Sequence, residues 1–264
     1  MKRTAIWVTC AALIGCSGVP QALRTSDSLA LSVLEPATGN RQRIDLRHWK
    51  LTLPDAMASE VQPDRLSKGY QNDSFRVESS GSLLFTAKSD GGSTANAKYP
   101  RSELREMINP ANKADNWTTD GTHLMTLRQE LVSVPPGVRV IVFQIHGVNT
   151  DGSNAPPLVK AQWKDSALQF LVKAEAKGGK DILYNVDGNF PLGSTYEGSL
   201  KVEHGRLLMT VNGKTYIDDF VARDPAWKSL RYYFKAGNYL QDNSKGDARS
   251  VAAVRIHDLA VRHE

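Results

Sequence analysis

From Ile44 to the end of the chain, no segment sustains the 3.6-residue apolar period of a long amphipathic helix. Short runs rich in β-branched and aromatic residues alternate instead with Gly, Pro, Asn and Asp. That pattern restricts the chain to an all-β architecture built as a sandwich. Predicted strands cover residues 75–77, 83–87, 101–108, 123–132, 138–146, 158–163, 167–173, 199–203, 206–211, 214–220, 230–236 and 251–261. Asn212-Gly213, set between two of them, is a tight-hairpin signal because both residues tolerate positive φ. Residues 147–157 are polar and rich in Gly, Asn and Pro, and are expected to form a mobile loop or lid beside His146. Gly91-Gly92 is expected to play a similar part.

Three segments carry chemistry on one face only. They are Arg101-Ser102-Glu103-Leu104-Arg105-Glu106-Met107, Val142-Phe143-Gln144-Ile145-His146 and Tyr233-Phe234-Lys235-Ala236-Gly237-Asn238-Tyr239-Leu240-Gln241. In a strand, side chains two apart share a face. Arg101, Glu103 and Arg105 therefore sit together, as do Gln144 and His146, and as do Tyr233, Lys235, Tyr239 and Gln241. Leu104, Phe143, Ile145, Phe234 and Leu240 point the other way and suit a core. One sheet would then present cations, an amide, an imidazole and phenols side by side. That set suits binding an acidic sugar and moving its protons.

The N-terminus suggests export. Lys2 and Arg3 precede an apolar stretch from Ala5 to Ile14, too short to span a bilayer permanently. It ends in Leu13-Ile14-Gly15-Cys16, which resembles a bacterial lipoprotein signal box. The resemblance implies a signal peptide over residues 1–15, lipidation at Cys16, and a flexible tether over 16–40 ahead of a single domain at 41–264. With Ser17 after the cysteine, the expected location is the cell envelope, as an outer-membrane lipoprotein or a secreted form. A short helix at 28–34 is compatible with the tether. The other cysteine, Cys10, lies in the segment that would be removed, so the mature domain would carry neither disulfide nor free thiol. It must rest on core burial, for which about 220 residues suffice. Removing Lys2 and Arg3 lowers the formal net charge from +5 to +3. No Lys/Arg-rich run marks a nucleic-acid tail, so no nucleic-acid partner is expected.

The three blocks, in this order and spacing, resemble the signature segments of polysaccharide lyase family 7, the alginate lyases. Trp49-Lys50-Leu51-Thr52-Leu53-Pro54 resembles that family's first strand, and the likeness spans about residues 44–264. It implies a β-jelly roll, concanavalin A-like, of two curved antiparallel sheets with a polyuronate in a concave groove. It implies β-elimination to 4,5-unsaturated uronate ends with no cofactor and no obligatory metal, by a monomer whose partner is alginate. Arg101, Gln144, His146 and Tyr239 are then the catalytic set. Glu103, Arg105, Lys235, Gln241 and Tyr233 line and support the sugar subsites, with Arg105 and Lys235 placed to meet further carboxylates.

The chemistry of elimination fits those residue types. The C5 proton is weakly acidic while the adjacent carboxylate is charged, so pre-placed donors such as Arg101 and Gln144 must neutralise it. A base then takes the proton and an acid meets the leaving oxygen. In mannuronate both lie on the same side, so Tyr239 would do both tasks, as a phenolate in the field of Arg101, Arg105 and Lys235. In guluronate they lie on opposite sides, so His146 would be base and Tyr239 acid. Within the family, isoleucine in the Gln-x-His block accompanies guluronate or mixed-block preference, and Ile145 points that way. A lyase on another polyuronate such as glucuronan, a non-catalytic polyuronate binder, and a glycoside hydrolase are the competing readings. The last wants two carboxylates flanking the bond, and Glu103 is the only acid on this face of the three blocks. The histidines 123, 204, 257 and 263 carry no site signal, and the tryptophans at 49, 117, 163 and 227 suit the core.

Overall fold

The computed structural model describes residues 44–94, 97–246 and 249–264. The signal peptide, Cys16, the tether and the short helix at 28–34 lie outside the described residues. Strand alternation is realised as two antiparallel sheets. One holds β1 (Trp49–Thr52), β2 (Glu60–Val61), β5 (Arg101–Glu106), β7 (Val140–Val148), β8 (Asn154–Lys164), β9 (Ala167–Glu175), β10 (Gly178–Asn185) and β14 (Arg231–Leu240). Its spatial order is β10-β9-β8-β7-β14-β5-β1-β2. The other holds β3 (Phe75–Val77), β4 (Leu83–Lys88), β6 (Thr122–Ser133), β11 (Tyr196–Glu203), β12 (Arg206–Val211), β13 (Lys214–Asp218) and β15 (Val251–His263), in the order β13-β12-β11-β6-β15-β4-β3. Two short helices, α1 (Pro63–Ser67) and α2 (Phe220–Arg223), and one 3₁₀ turn (Pro225–Ser229) decorate the connections.

The two sheets meet over one apolar core. Leu104, Phe143, Ile145, Phe234 and Leu240, the apolar members of the three blocks, are all fully buried in it. Burying each is worth roughly 1.5–3 kcal/mol. This fixes the polarity of the eight-stranded sheet, because a one-residue slip would drive these side chains outward and the charged ones inward. Trp49, Trp117, Trp163 and Trp227 are core residues, as expected. Asn212 and Gly213 form the two-residue turn between β12 and β13, both at positive φ.

Two readings of the sequence are corrected, and one strand went unread. Residues 147–157 are a hairpin rather than an irregular loop: β7 runs on to Val148 and β8 begins at Asn154, leaving a tight turn closed by Asn149 and Ser153. The Gly and Pro content there reflects a hairpin with irregular pairing, whose register shifts at His146. The predicted strand at 214–220 stops at Asp218, and Phe220 opens α2 instead. Strand β10 was not legible, because an edge strand with no buried side chain carries no alternation.

One buried acid ties the layers together. Glu106, on the inner face of β5, accepts from the Trp117 indole (3.1 Å) and from the backbone N–H of Phe234 (2.9 Å). It also faces His263 Nε2 at 2.6 Å. His263 in turn meets His123 across β6 and β15, Nδ1 to Nδ1, at 2.8 Å. A carboxylate on the core side is tolerated because every donor around it is aimed at it.

Candidate active site

The strand order brings the three blocks together. β14 lies between β7 and β5, so segments far apart in sequence become nearest neighbours. Tyr233 pairs with His146, Lys235 pairs with Gln144 on one side and Arg105 on the other, Gly237 with Glu103, and Tyr239 with Arg101.

Glu103 is the hub of this face. Its carboxylate has no exposure to solvent. Oε1 accepts from Gln144 Nε2 at 2.6 Å, and Oε2 accepts from Arg101 Nη1 at 3.2 Å and forms an ion pair with Lys235. Burial alone would push this carboxyl up; Lys235 and Arg101 outweigh burial and hold it below the ordinary glutamate range. Lys235 is drawn down to about 8 by burial, partly offset by Glu103. Glu103 thus orients one guanidinium and one amide, each with further N–H groups left over. Arg101 Nε is buried with no partner among the described residues.

A β-bulge makes room for this cluster. The register between β14 and β7 shifts between Ala236 and Tyr239, and Gly237 sits at φ 137°. A Cβ there would lie 2.7 Å from the Ser102 carbonyl and 3.0 Å from Glu103 Cα. The following Asn238 turns inward and donates to the Ala252 carbonyl at 2.7 Å, anchoring the bulge to the second sheet. Gly237→Ala is therefore expected to destabilise the fold by about 1–3 kcal/mol through strain and overpacking. Chemical denaturation checks this, and an unchanged midpoint would show that the bulge relaxes freely.

Two aromatic stacks frame the hub. The Arg101 guanidinium lies 3.6 Å from the centre of the Tyr239 ring, with Tyr99 edge-on at 6.5 Å. Burial pushes the Tyr239 phenol above its ordinary value, and Arg101 offsets that only in part. In the free protein burial thus outweighs the cationic field that favours a phenolate. On the other side, Tyr233 stacks on His146, ring centres 5.4 Å apart and 13° from parallel. His146 Nδ1 is 2.8 Å from the Gly147 carbonyl. A carbonyl only accepts, so Nδ1 carries the proton and Nε2 keeps its lone pair. Burial, then the Lys235 charge, lowers this histidine to about 4.

Gln241 lies at the end of this row, its amide on the Tyr239 carbonyl at 3.2 Å. Arg105 is engaged differently from the subsite cation expected of it. Nη1 donates to the Glu106 carbonyl and approaches Met107 Sδ, and Nη2 donates to the Lys113 carbonyl and Asn116 Oδ1. Tyr99, Ile141 (the partner of Tyr239 on β7) and Lys160 (the partner of Gln144 on β8) also reach this neighbourhood. Tyr99 continues the alternation of the first block two residues upstream and was legible on that ground. Lys160 had no local signal. Cavities of 520 and 370 Å³ lie elsewhere, beside Leu46, Leu66 and Leu83 and beside Pro54, Asp90 and Gly92.

Comparison with known proteins agrees with this geometry. The alginate lyase family model matches residues 44–263. Alginate lyase A1-II′, described as a member of polysaccharide lyase family 7, is 44% identical with a TM-score of 0.80, covering 84% of this chain and 96% of its own. A variant of that lyase with histidine-to-asparagine and tyrosine-to-phenylalanine replacements, in complex with substrate (GGMG), is 43% identical with a TM-score of 0.81, covering 87% and 98%. An alginate lyase from Pseudomonas aeruginosa is 29% identical with a TM-score of 0.76, covering 83% and 100%. A search of curated protein sequences found no match. With its two-sheet jelly roll, its three signature blocks on adjacent strands and these relatives, the chain belongs to polysaccharide lyase family 7 and is an alginate lyase.

Proposed function

We propose that the enzyme acts by β-elimination with His146 as base and Tyr239 as acid, and that it favours guluronate or mixed blocks. Arg101 and Gln144, both held by Glu103, meet the substrate carboxylate and disperse the charge that develops when C5 is deprotonated. His146 Nε2 takes the C5 proton, and the electron pair forms the C4–C5 double bond. The C4–O bond breaks, and the leaving oxygen receives the Tyr239 proton. The products are an unsaturated uronate end and a free hydroxyl. Water then returns a proton to Tyr239 and removes one from His146.

The single observation that carries this reading is geometric: His146 turns Nδ1 to the Gly147 carbonyl and leaves Nε2 free on the sheet face it shares with Tyr239. Burial favours the neutral imidazole and the neutral phenol there. That is a base–acid pair ready for opposite-side elimination, as in guluronate. Same-side elimination in mannuronate requires the phenolate first, which burial of Tyr239 opposes. The complexes of A1-II′ with product (GGG) and with substrate (GGMG) add support by similarity. The signal box implies, as a further part of this proposal, a lipid-anchored enzyme that meets polymers too large to import.

The test is the ultraviolet absorbance of unsaturated uronate formed from polyguluronate, polymannuronate and glucuronan in separate assays across pH. Polyguluronate is expected to be fastest. Its kcat/KM should stay high between about 4, below which His146 is protonated, and about 8, above which Lys235 loses its charge beside Glu103. A faster rate on polymannuronate would overturn the block preference, and an acid limb near the ordinary histidine value would count against His146 as buried base. New reducing ends without the absorbance would sink elimination, and binding without either signal would leave a binder.

A further inference from the structure

Three planar groups form one stack on the site face. Strands β5 and β7 flank β14 on opposite sides, so Arg105 and His146 approach Tyr233 from opposite directions. The Arg105 guanidinium is 4.0 Å from the centre of the Tyr233 ring, and the imidazole lies nearly parallel to that ring on the other side. Arg105 is 7% exposed, and both of its terminal nitrogens donate to the Glu106–Asn116 stretch. Its charge is used inside the protein, the Tyr233 hydroxyl is a further partner, and its flat face lies against the Tyr233 ring.

His146 needs such support. Among the described residues its side chain makes one hydrogen bond, to the adjacent Gly147 carbonyl, which fixes only one edge of the ring. On the β8 side the register shifts on both flanks of His146, where it pairs with Pro157, so regular pairing does not hold it there. Tyr233 is the sole ring stacked on it among the described residues. We propose that Tyr233 and Arg105 are positioning residues for His146: Arg105, locked by the 106–116 segment, clamps Tyr233, and the Tyr233 ring holds the imidazole flat, dry and aimed. This rests on His146 being the base in elimination. It assigns neither Tyr233 nor Arg105 to a polymer carboxylate.

The experiment is steady-state kinetics and pH profiles on polyguluronate for Tyr233→Phe, Tyr233→Leu, Tyr233→Ala, Arg105→Lys and His146→Ala, with circular dichroism to verify folding. Tyr233→Ala should lose about 100-fold in kcat with KM little changed, the scale of a base displaced by about an ångström. Its acid limb should move up from about 4 towards the ordinary histidine value as water reaches the ring. Tyr233→Leu fills the volume without a flat face, so it should fail in the same way and serve if the alanine variant unfolds. Tyr233→Phe should rescue most of the rate with the limb unmoved. Arg105→Lys, which keeps charge but loses the fork and the face, should fall between. A loss confined to KM, a phenylalanine variant as impaired as the alanine one, or an unmoved acid limb in Tyr233→Ala would overturn the stack. Undiminished turnover in His146→Ala would instead remove the base assignment on which the inference rests.

Discussion

Replacing Tyr239 with phenylalanine is expected to abolish turnover while leaving alginate binding intact. The ring that stacks under Arg101 at 3.6 Å remains, so the guanidinium keeps its place and the carboxylate subsite keeps its donor. Only the hydroxyl is lost, and with it the proton for the leaving oxygen. Loss of a positioned general acid costs about 100- to 10,000-fold in rate, and the poor leaving group in this reaction places Tyr239 at the upper end. Single-turnover absorbance and calorimetric titration of one protein preparation separate the two quantities. A Tyr239→Phe enzyme with near-normal kcat would remove Tyr239 from its role. One that loses binding in proportion to rate would make the hydroxyl a ground-state contact.

Replacing Glu103 with alanine is expected to damage both stability and catalysis. The fully buried carboxylate compensates Arg101 and Lys235 and accepts from Gln144. Without it, two buried cations face one another with no counter-charge, a change that costs about 3–5 kcal/mol. Lys235, already near 8, would relieve part of this by releasing its proton. The rate should fall as well, because Arg101 and Gln144 both lose the acceptor that orients them. Glu103→Gln keeps the shape and one acceptor. It should recover part of the stability but little of the rate, since its amide nitrogen now opposes donors. Denaturant unfolding and kcat/KM on the two variants check this. An alanine variant that unfolds at the parent's midpoint would show that the cations are solvated, and that Glu103 is not the hub described above.

The pH behaviour expected of the enzyme has the same origin. Burial works against charge on this face: it lowers His146, Lys235 and Arg105 and raises Tyr233 and Tyr239. Glu103 runs against burial, because two cations converge on it. On the mechanism proposed above, the sheet holds one fixed ionic cluster for binding beside a neutral base and a neutral acid for the reaction.

Much of this protein was determined by its sequence alone. Strand period 2 in the three blocks separates Arg101, Glu103 and Arg105 from Leu104, and Gln144 and His146 from Ile145, without knowledge of any partner strand, because the pleat is local. The hairpin at Asn212-Gly213 was local too. So was the absence of long helices, and with it the two-layer sandwich. Tertiary structure decided whatever depends on which strand lies beside which. Only the order β7-β14-β5 places Glu103 under Gln144 and Lys235 and stacks Tyr233 between Arg105 and His146. Only burial, a property of the packed sandwich, pushes the Tyr239 phenol above its ordinary value against the pull of Arg101. The meeting of His123 with His263, 140 residues apart, and the edge strand β10 left no local trace. Non-local pairing and edge exposure are set by the rest of the chain, not by the residues that undergo them.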